Sequence, residues 1–346
     1  MCRRSMLFQT IVSIIGFSIS ICSDVVVETR YDFRTMTRFP VELYSPDLGR
    51  TIPGYACLDL SDAMIGFSSS SSDEFEDRNG VHVSEIRFAN STSLRYNYRV
   101  PMDWDNGAFP TAHINADFAS DFLHQVGSYL MTPVSHSEGL IVINPVQPEI
   151  YAYNGELFYA RSTHQEMLQI MTAIKVVPGD RRDEPPSPIP LTNFHRCSIS
   201  TGQHDDEEDD LESIWLPPTV WDTFMNELTR LGVVSESARL RNRNSFDRTI
   251  QVEASLAEST ILDRLPSIQF FVELVNGSQA AIHQVYPREY FALHRSSRGA
   301  PTTGLLLVFT SPIPYCELGK RFLKNVVMHV DGRNRLIGFG DPLIEF

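Results

Sequence analysis

The sequence predicts a mostly β protein, and three observations carry that prediction. Residues 269–275 and 280–285 are strand-like apolar runs separated by Asn276-Gly277, a strong tight-turn signal, so they read as an antiparallel hairpin. Residues 303–309 form a continuous apolar run of strand length and read as a buried strand. Helical signals are few. Residues 218–228 place apolar side chains at helical spacing behind Pro218, and residues 117–130 are an ambiguous second candidate.

The remaining segments follow in chain order. Cys2-Arg3-Arg4 and the apolar run 6–21 have the basic start and short apolar core of a signal peptide, with a cut near Ser23. No second run is long enough to span a bilayer, so no membrane span is expected after signal removal. Residues 68–77 are Ser-rich and then acidic, and residues 178–190 hold five prolines around the charge cluster 180–184; both read as exposed loops. The acidic run Asp205, Asp206, Glu207, Glu208, Asp209 and Asp210 must be solvated, because burying several unpaired carboxylates costs too much.

Composition sets the outer bounds. The chain has 346 residues, 42% apolar and 21% charged, enough for two lobes or one large domain. A net charge of −14 argues against nucleic acid, whose phosphates need clustered Lys and Arg. The histidines show no paired spacing of a metal site, and no cofactor is expected. Without the signal the cysteines are Cys57, Cys197 and Cys316, an odd number in an oxidising compartment. Asn90-Ser91-Thr92 and Asn276-Gly277-Ser278 are glycosylation sequons.

The tail carries a resemblance. Leu318-Gly319-Lys320-Arg321-Phe322-Leu323, the extended run through Asp331, and Leu336-Ile337-Gly338-Phe339 resemble the last strands of pepsin-like aspartic proteases, with Lys320 where that family has Asp. Leu265-Pro266-Ser267-Ile268-Gln269-Phe270, Asn276-Gly277 and Pro287-Arg288-Glu289-Tyr290 are similar to the same family. The resemblance implies a bilobal pepsin-like acid protease fold with a shortened N-terminal lobe: residues 1–23 the signal peptide, 24–155 a divergent N-terminal lobe, and 156–346 the C-terminal lobe.

It also implies two loops that each supply a catalytic aspartate. The first is matched by residues 55–67, which makes Asp59 the first aspartate, with Leu60 for Thr and Ser61 for Gly. The second is matched by Cys197-Ser198-Ile199-Ser200-Thr201-Gly202, then Ile214-Trp215-Leu216-Pro217. Ser200 takes the aspartate position, Thr201 and Gly202 are kept, and the acidic run is an insertion. Glu138-Gly139-Leu140-Ile141-Val142-Ile143 resembles the segment against which the first loop packs, with Val142 for its small Gly. The flap tyrosine would be Tyr96 or Tyr98. Cys197 and Cys316 would be neighbours, as a disulfide or as two buried thiols.

In such a site two aspartates share one proton: the ionised one activates water and the neutral one donates to the substrate carbonyl. Ser200 can donate a hydrogen bond but cannot hold that titrating proton. Ser200 as a nucleophile would need His195 or His204 as base, and Asp205 or Asp206 could supply a substitute carboxylate. The expectation is a secreted, monomeric, pepsin-like protein without peptidase activity, its interlobe cleft binding a peptide or protein. The alternatives are an active aspartic endopeptidase with an atypical site, and a structural or surface-interaction protein with a closed cleft.

Overall fold

A computed structural model describes residues 27–32, 38–59, 81–88, 93–100, 111–115, 121–135, 137–161, 171–179, 187–191, 196–199, 214–235, 249–251, 262–294, 303–306, 308–310, 315–318 and 320–343. The protein is mostly β, as its apolar runs predict. The first strands are β1 (Val27–Asp32), β2 (Arg38–Ser45), β3 (Arg50–Asp59), β4 (Val81–Arg87), β5 (Ser93–Val100), β6 (Thr111–Asn115), β7 (Ser128–Pro133) and β8 (Glu138–Ile143). Then come β9 (Phe158–Arg161), β10 (Met171–Val177), β11 (Ile189–Pro190), β12 (Arg196–Ile199), β13 (Ile214–Leu216), β14 (Thr249–Gln251) and β15 (Ser267–Glu273). The last are β16 (Gln279–Val285), β17 (Phe291–His294), β18 (Thr303–Leu306), β19 (Val308–Thr310), β20 (Tyr315–Leu318), β21 (Val327–Asp331) and β22 (Leu336–Gly340).

The chain runs through one pairing pattern twice. In the first pass β3, β2, β4 and β5 lie side by side, all antiparallel. In the second pass β11, β10, β15 and β16 have the same order and directions. Each pass also contains a parallel pairing, β3 with β6 and β12 with β20. After β6 comes the helix Asp121–Val126 and the hairpin β7–β8; after β20 comes the helix Lys320–Lys324 and the hairpin β21–β22. Among the described residues the second pass is the richer, adding β13, the helix Pro218–Arg230, β14 and β17–β19.

The two passes share a seam. Strands β1, β8, β7, β21, β22 and β9 follow one another in an antiparallel sheet whose order reads alike from either end. One row of opposed residues crosses all six strands: Glu28, Val142, Leu130, His329, Gly338 and Tyr159. The next row, Ile143, Tyr129, Val330, Ile337 and Ala160, points to the opposite face and is buried in the main core. Leu130, Val142 and Val327 form a smaller core on the first face together with Ala152. The β8–β9 connection covers that face as two 3-10 turns, Pro148–Tyr151 and Tyr153–Gly155.

Local sequence explains the elements. In β2, Val41, Leu43 and Ser45 are buried while Pro40 and Glu42 are exposed, the alternation of a sheet with one face on the core. In the helix Pro218–Arg230 the apolar stripe Val220, Trp221, Phe224, Met225 and Leu228 is buried, and the helix packs on β10 and β19. Pro218 starts it without loss, since the first turn has no acceptor for its missing N–H.

Three expectations need correction. The helix candidate at 117–130 shrinks to Asp121–Val126: Gly127, with φ of 82°, stops it and releases the chain into β7. The run 303–309 serves two strands, β18 against β14 and β17, then β19 against β13, so it bridges two sheets. Finally, residues 138–143 do not pack beside the strand that ends at Asp59. They form β8, between β1 and β7 in the seam.

Candidate functional site

Asp59 closes β3, and Tyr55–Asp59 run parallel to Thr111–Asn115 of β6 with Asp59 opposite Asn115. In the second pass Arg196–Ile199 of β12 run parallel to β20, with Ile199 opposite Leu318. The next residue is Ser200. The two strands, one ending at Asp59 and the other at Ile199, thus each run parallel to a strand from later in the same pass, β6 and β20. The residue opposite Asp59 is thus Asn115, and not Val142. Sequence reasoning missed it because Ile114-Asn115 lacks the glycine that marks Leu318-Gly319.

Ser200, Thr201, Gly202, Leu60 and Ser61 lie outside the described residues, as do His195, His204, the acidic run and residues 1–26; Asp59 is placed by its backbone. The stem of the acidic loop is nevertheless fixed. Leu318, fully buried, lies between Ile199 of β12 and Ile214 of β13, so the segment 200–213 leaves and returns at one end of β20.

Tyr96 and Tyr98 both lie within β5, and the residues between β4 and β5, 89–92, lie outside the described residues. Phe88, just before them, is buried. Cys197 lies opposite Cys316 in the β12–β20 register. Neighbouring strands are about 4.8 Å apart, a backbone separation that a disulfide spans. Among the described residues no cluster of three His, Cys, Asp or Glu could hold a metal ion, and no helix is long and apolar enough to cross a membrane.

The seam contains a polar contact that no motif announced. The Tyr159 hydroxyl, from β9, lies 3.0 Å from His329 Nδ1 on β21, with the rings edge to face at 5.9 Å. Gly338 stands between them in the row: a Cβ there would come within 2.7 Å of the Tyr159 ring. Burial pulls the His329 pKa below its ordinary value, against the opposing pull of Asp331 and Glu149. Burial, then Glu149 and Asp331, pushes the Tyr159 hydroxyl up to about 12. At neutral pH the phenol is therefore protonated and the imidazole neutral, so the hydroxyl donates to Nδ1. Nε2, buried, has no partner.

A second histidine is held neutral on the outer strand β16. His283 stands opposite Phe270 and edge-on to Phe322 at 5.2 Å, and burial lowers its pKa to about 4. Nearby, the Tyr290 hydroxyl donates to the Pro266 carbonyl, and burial raises its pKa well above the ordinary value. Glu289 accepts from the Tyr286 N–H and from Asn325 Nδ2, tying the short helix Pro287–Tyr290 to the residue before the last hairpin.

Comparison with known proteins finds no matching family model and no matching curated protein.

Proposed function

We propose that the chain is a divergent relative of pepsin-like aspartic proteases that has lost peptidase activity and binds an extended peptide or protein segment between its two repeats. The observation that carries the reading is the duplicated parallel pairing: the strand ending at Asp59 and the strand ending at Ile199, one residue before Ser200, hold equivalent places. A twofold arrangement that presents one residue from each half is what a two-aspartate site requires. On this reading one half would supply Asp59 and the other Ser200.

The chemistry follows from that mismatch. A dyad works because two close carboxyl groups cannot both ionise, so one holds a proton for the carbonyl oxygen while the other takes a proton from water. A serine hydroxyl does not titrate in the working range, so a pair of one aspartate and one serine has no second carboxyl to hold the shared proton. General acid–base catalysis is worth about 10²- to 10⁴-fold, so loss of one partner removes turnover while leaving the groove. Binding an extended peptide needs only backbone groups and side-chain pockets. Among the described residues β16 pairs with no strand but β15, which leaves it an outer edge for an added strand, whereas on β5 the Gln125 side chain already binds the Arg95 backbone.

On this reading the lobes divide near residue 155, between β8 and β9, the apolar run 6–21 directs secretion, and the protein acts extracellularly or in a secretory compartment. The test uses the full chain purified from the medium of eukaryotic cells. Fluorogenic casein at pH 3 to 7 should remain uncut, while a labelled library of extended decapeptides should yield binders by fluorescence anisotropy. Robust cleavage by the wild type that vanishes in Asp59→Asn would overturn the proposal.

A further inference from the structure

The turn between β15 and β16 is built from a sequon, Asn276-Gly277-Ser278. Leu274 N–H donates to the Ser278 carbonyl at 2.7 Å and Gly277 N–H donates to the Leu274 carbonyl at 2.8 Å. Gly277 adopts φ of 81°, whereas Asn276 is not among the residues with positive φ. The turn is therefore a three-residue loop with glycine in the left-handed position, not the two-residue turn that Asn-Gly suggests. This geometry exposes all three sequon residues.

Two details give the asparagine a defined chemistry. Its carboxamide oxygen accepts from both the Ser278 N–H at 2.9 Å and the Ser278 hydroxyl at 2.6 Å. Both contacts use Oδ1, so among the described residues Nδ2 donates to no protein group and faces solvent. The space is open as well: a Cβ added at Gly277 meets no atom within 4 Å. The other sequon, Asn90-Ser91-Thr92, falls between β4 and β5, the matching hairpin of the first repeat.

We propose that Asn276 is an N-glycosylation site. The co-reactant is an oligosaccharide linked through pyrophosphate to a lipid. Asn276 Nδ2 attacks the anomeric carbon, the bond from that carbon to the pyrophosphate oxygen breaks, the lipid pyrophosphate leaves, and Nδ2 gives up one of its two protons. No electron transfer is involved. The Ser278 hydroxyl is the recognition group, held on Oδ1 in the folded turn, and the attached glycan projects from the hairpin tip without displacing any side chain. It would cover the exposed Val275 and shield the tip of an outer hairpin.

The inference rests on the secretory entry proposed above, and the experiment separates the two. The full chain is expressed in cultured animal cells twice, once with its own leader and once with the cleavable leader of a secreted protein placed ahead of residue 24. Peptide mass spectrometry follows glycosidase release in ¹⁸O water, which marks each released asparagine as labelled aspartate. The expected result is labelled aspartate at 276, lost in Asn276→Gln and in Ser278→Ala and retained in Ser278→Thr. A label seen only with the foreign leader supports the site and overturns the native leader. An unmodified 276 peptide in the secreted product of the foreign leader overturns the site.

Discussion

The neutral state of His283 makes the fold acid-sensitive. The residue stands opposite Phe270 in the β15–β16 register and its ring is edge-on to Phe322, neither of which can compensate a charge, and burial alone depresses its pKa from 6.5 to about 4. The depressed value means that the unfolded chain takes up a proton at a pH where the folded chain does not. Stability is full above pH 6.5, falls as the pH drops through the window from 6.5 to about 4, and falls no further from this group below that. With each pKa unit worth about 1.4 kcal/mol, going from pH 7.5 to pH 4.5 removes about 2.5 kcal/mol through this residue. Replacing His283 by Phe keeps a flat ring in the same slot and removes the titration. Urea unfolding followed by tryptophan fluorescence at both pH values gives the comparison. The variant should lose about 2.5 kcal/mol less than the wild type on acidification. Equal acid losses in the two proteins would refute the argument.

Two further predictions follow from the seam and the acidic loop. Gly338→Ala should lower stability by about 1 to 3 kcal/mol, because its Cβ would meet the Tyr159 ring at 2.7 Å and push the hydroxyl off His329; urea unfolding at pH 7.5 reads this, and Gly338→Ala combined with Tyr159→Ala should recover part of the loss. Deleting residues 205–210 should change stability by less than about 1 kcal/mol, because the stem at Ile199, Leu318 and Ile214 is untouched, and should weaken binding of basic decapeptides more than neutral ones, with the difference shrinking at high salt.

Some of this architecture was legible in the sequence and some was not, for physical reasons. The β15–β16 hairpin was readable because its alternating and apolar runs flank a glycine that must take positive φ. The helix Pro218–Arg230 was readable because five apolar residues recur on one face. The seam was not. Residues 138–143 are buried on both faces of a central strand, so their pattern is a plain apolar run that names no neighbour. Only the register distinguishes a strand beside β1 from a strand beside β3. The same holds for Asp59: its place at the end of β3 could be guessed from the residues around it, but its neighbour Asn115 lies far along the chain in a segment without a motif.

Duplication clarifies what the substitutions at the strand ends mean. The parallel pairing is present in both passes, Tyr55–Asp59 with Thr111–Asn115 and Arg196–Ile199 with Tyr315–Leu318; on the proposed reading Ser200 stands in the sequence where one acidic partner would. On that reading the framework is kept for a use other than the chemistry of a dyad. The buried histidines point the same way. His329 sits on the middle row of the strands that join the two repeats and His283 in the apolar slot of an outer hairpin, and both are neutral at neutral pH and costly to protonate. A dyad that shares a proton between carboxyl groups works in acid, where this fold is weakened. On the proposed reading, both the missing carboxylate and the acid-sensitive packing therefore favour a protein that holds its ligand near neutral pH over one that cleaves it in acid.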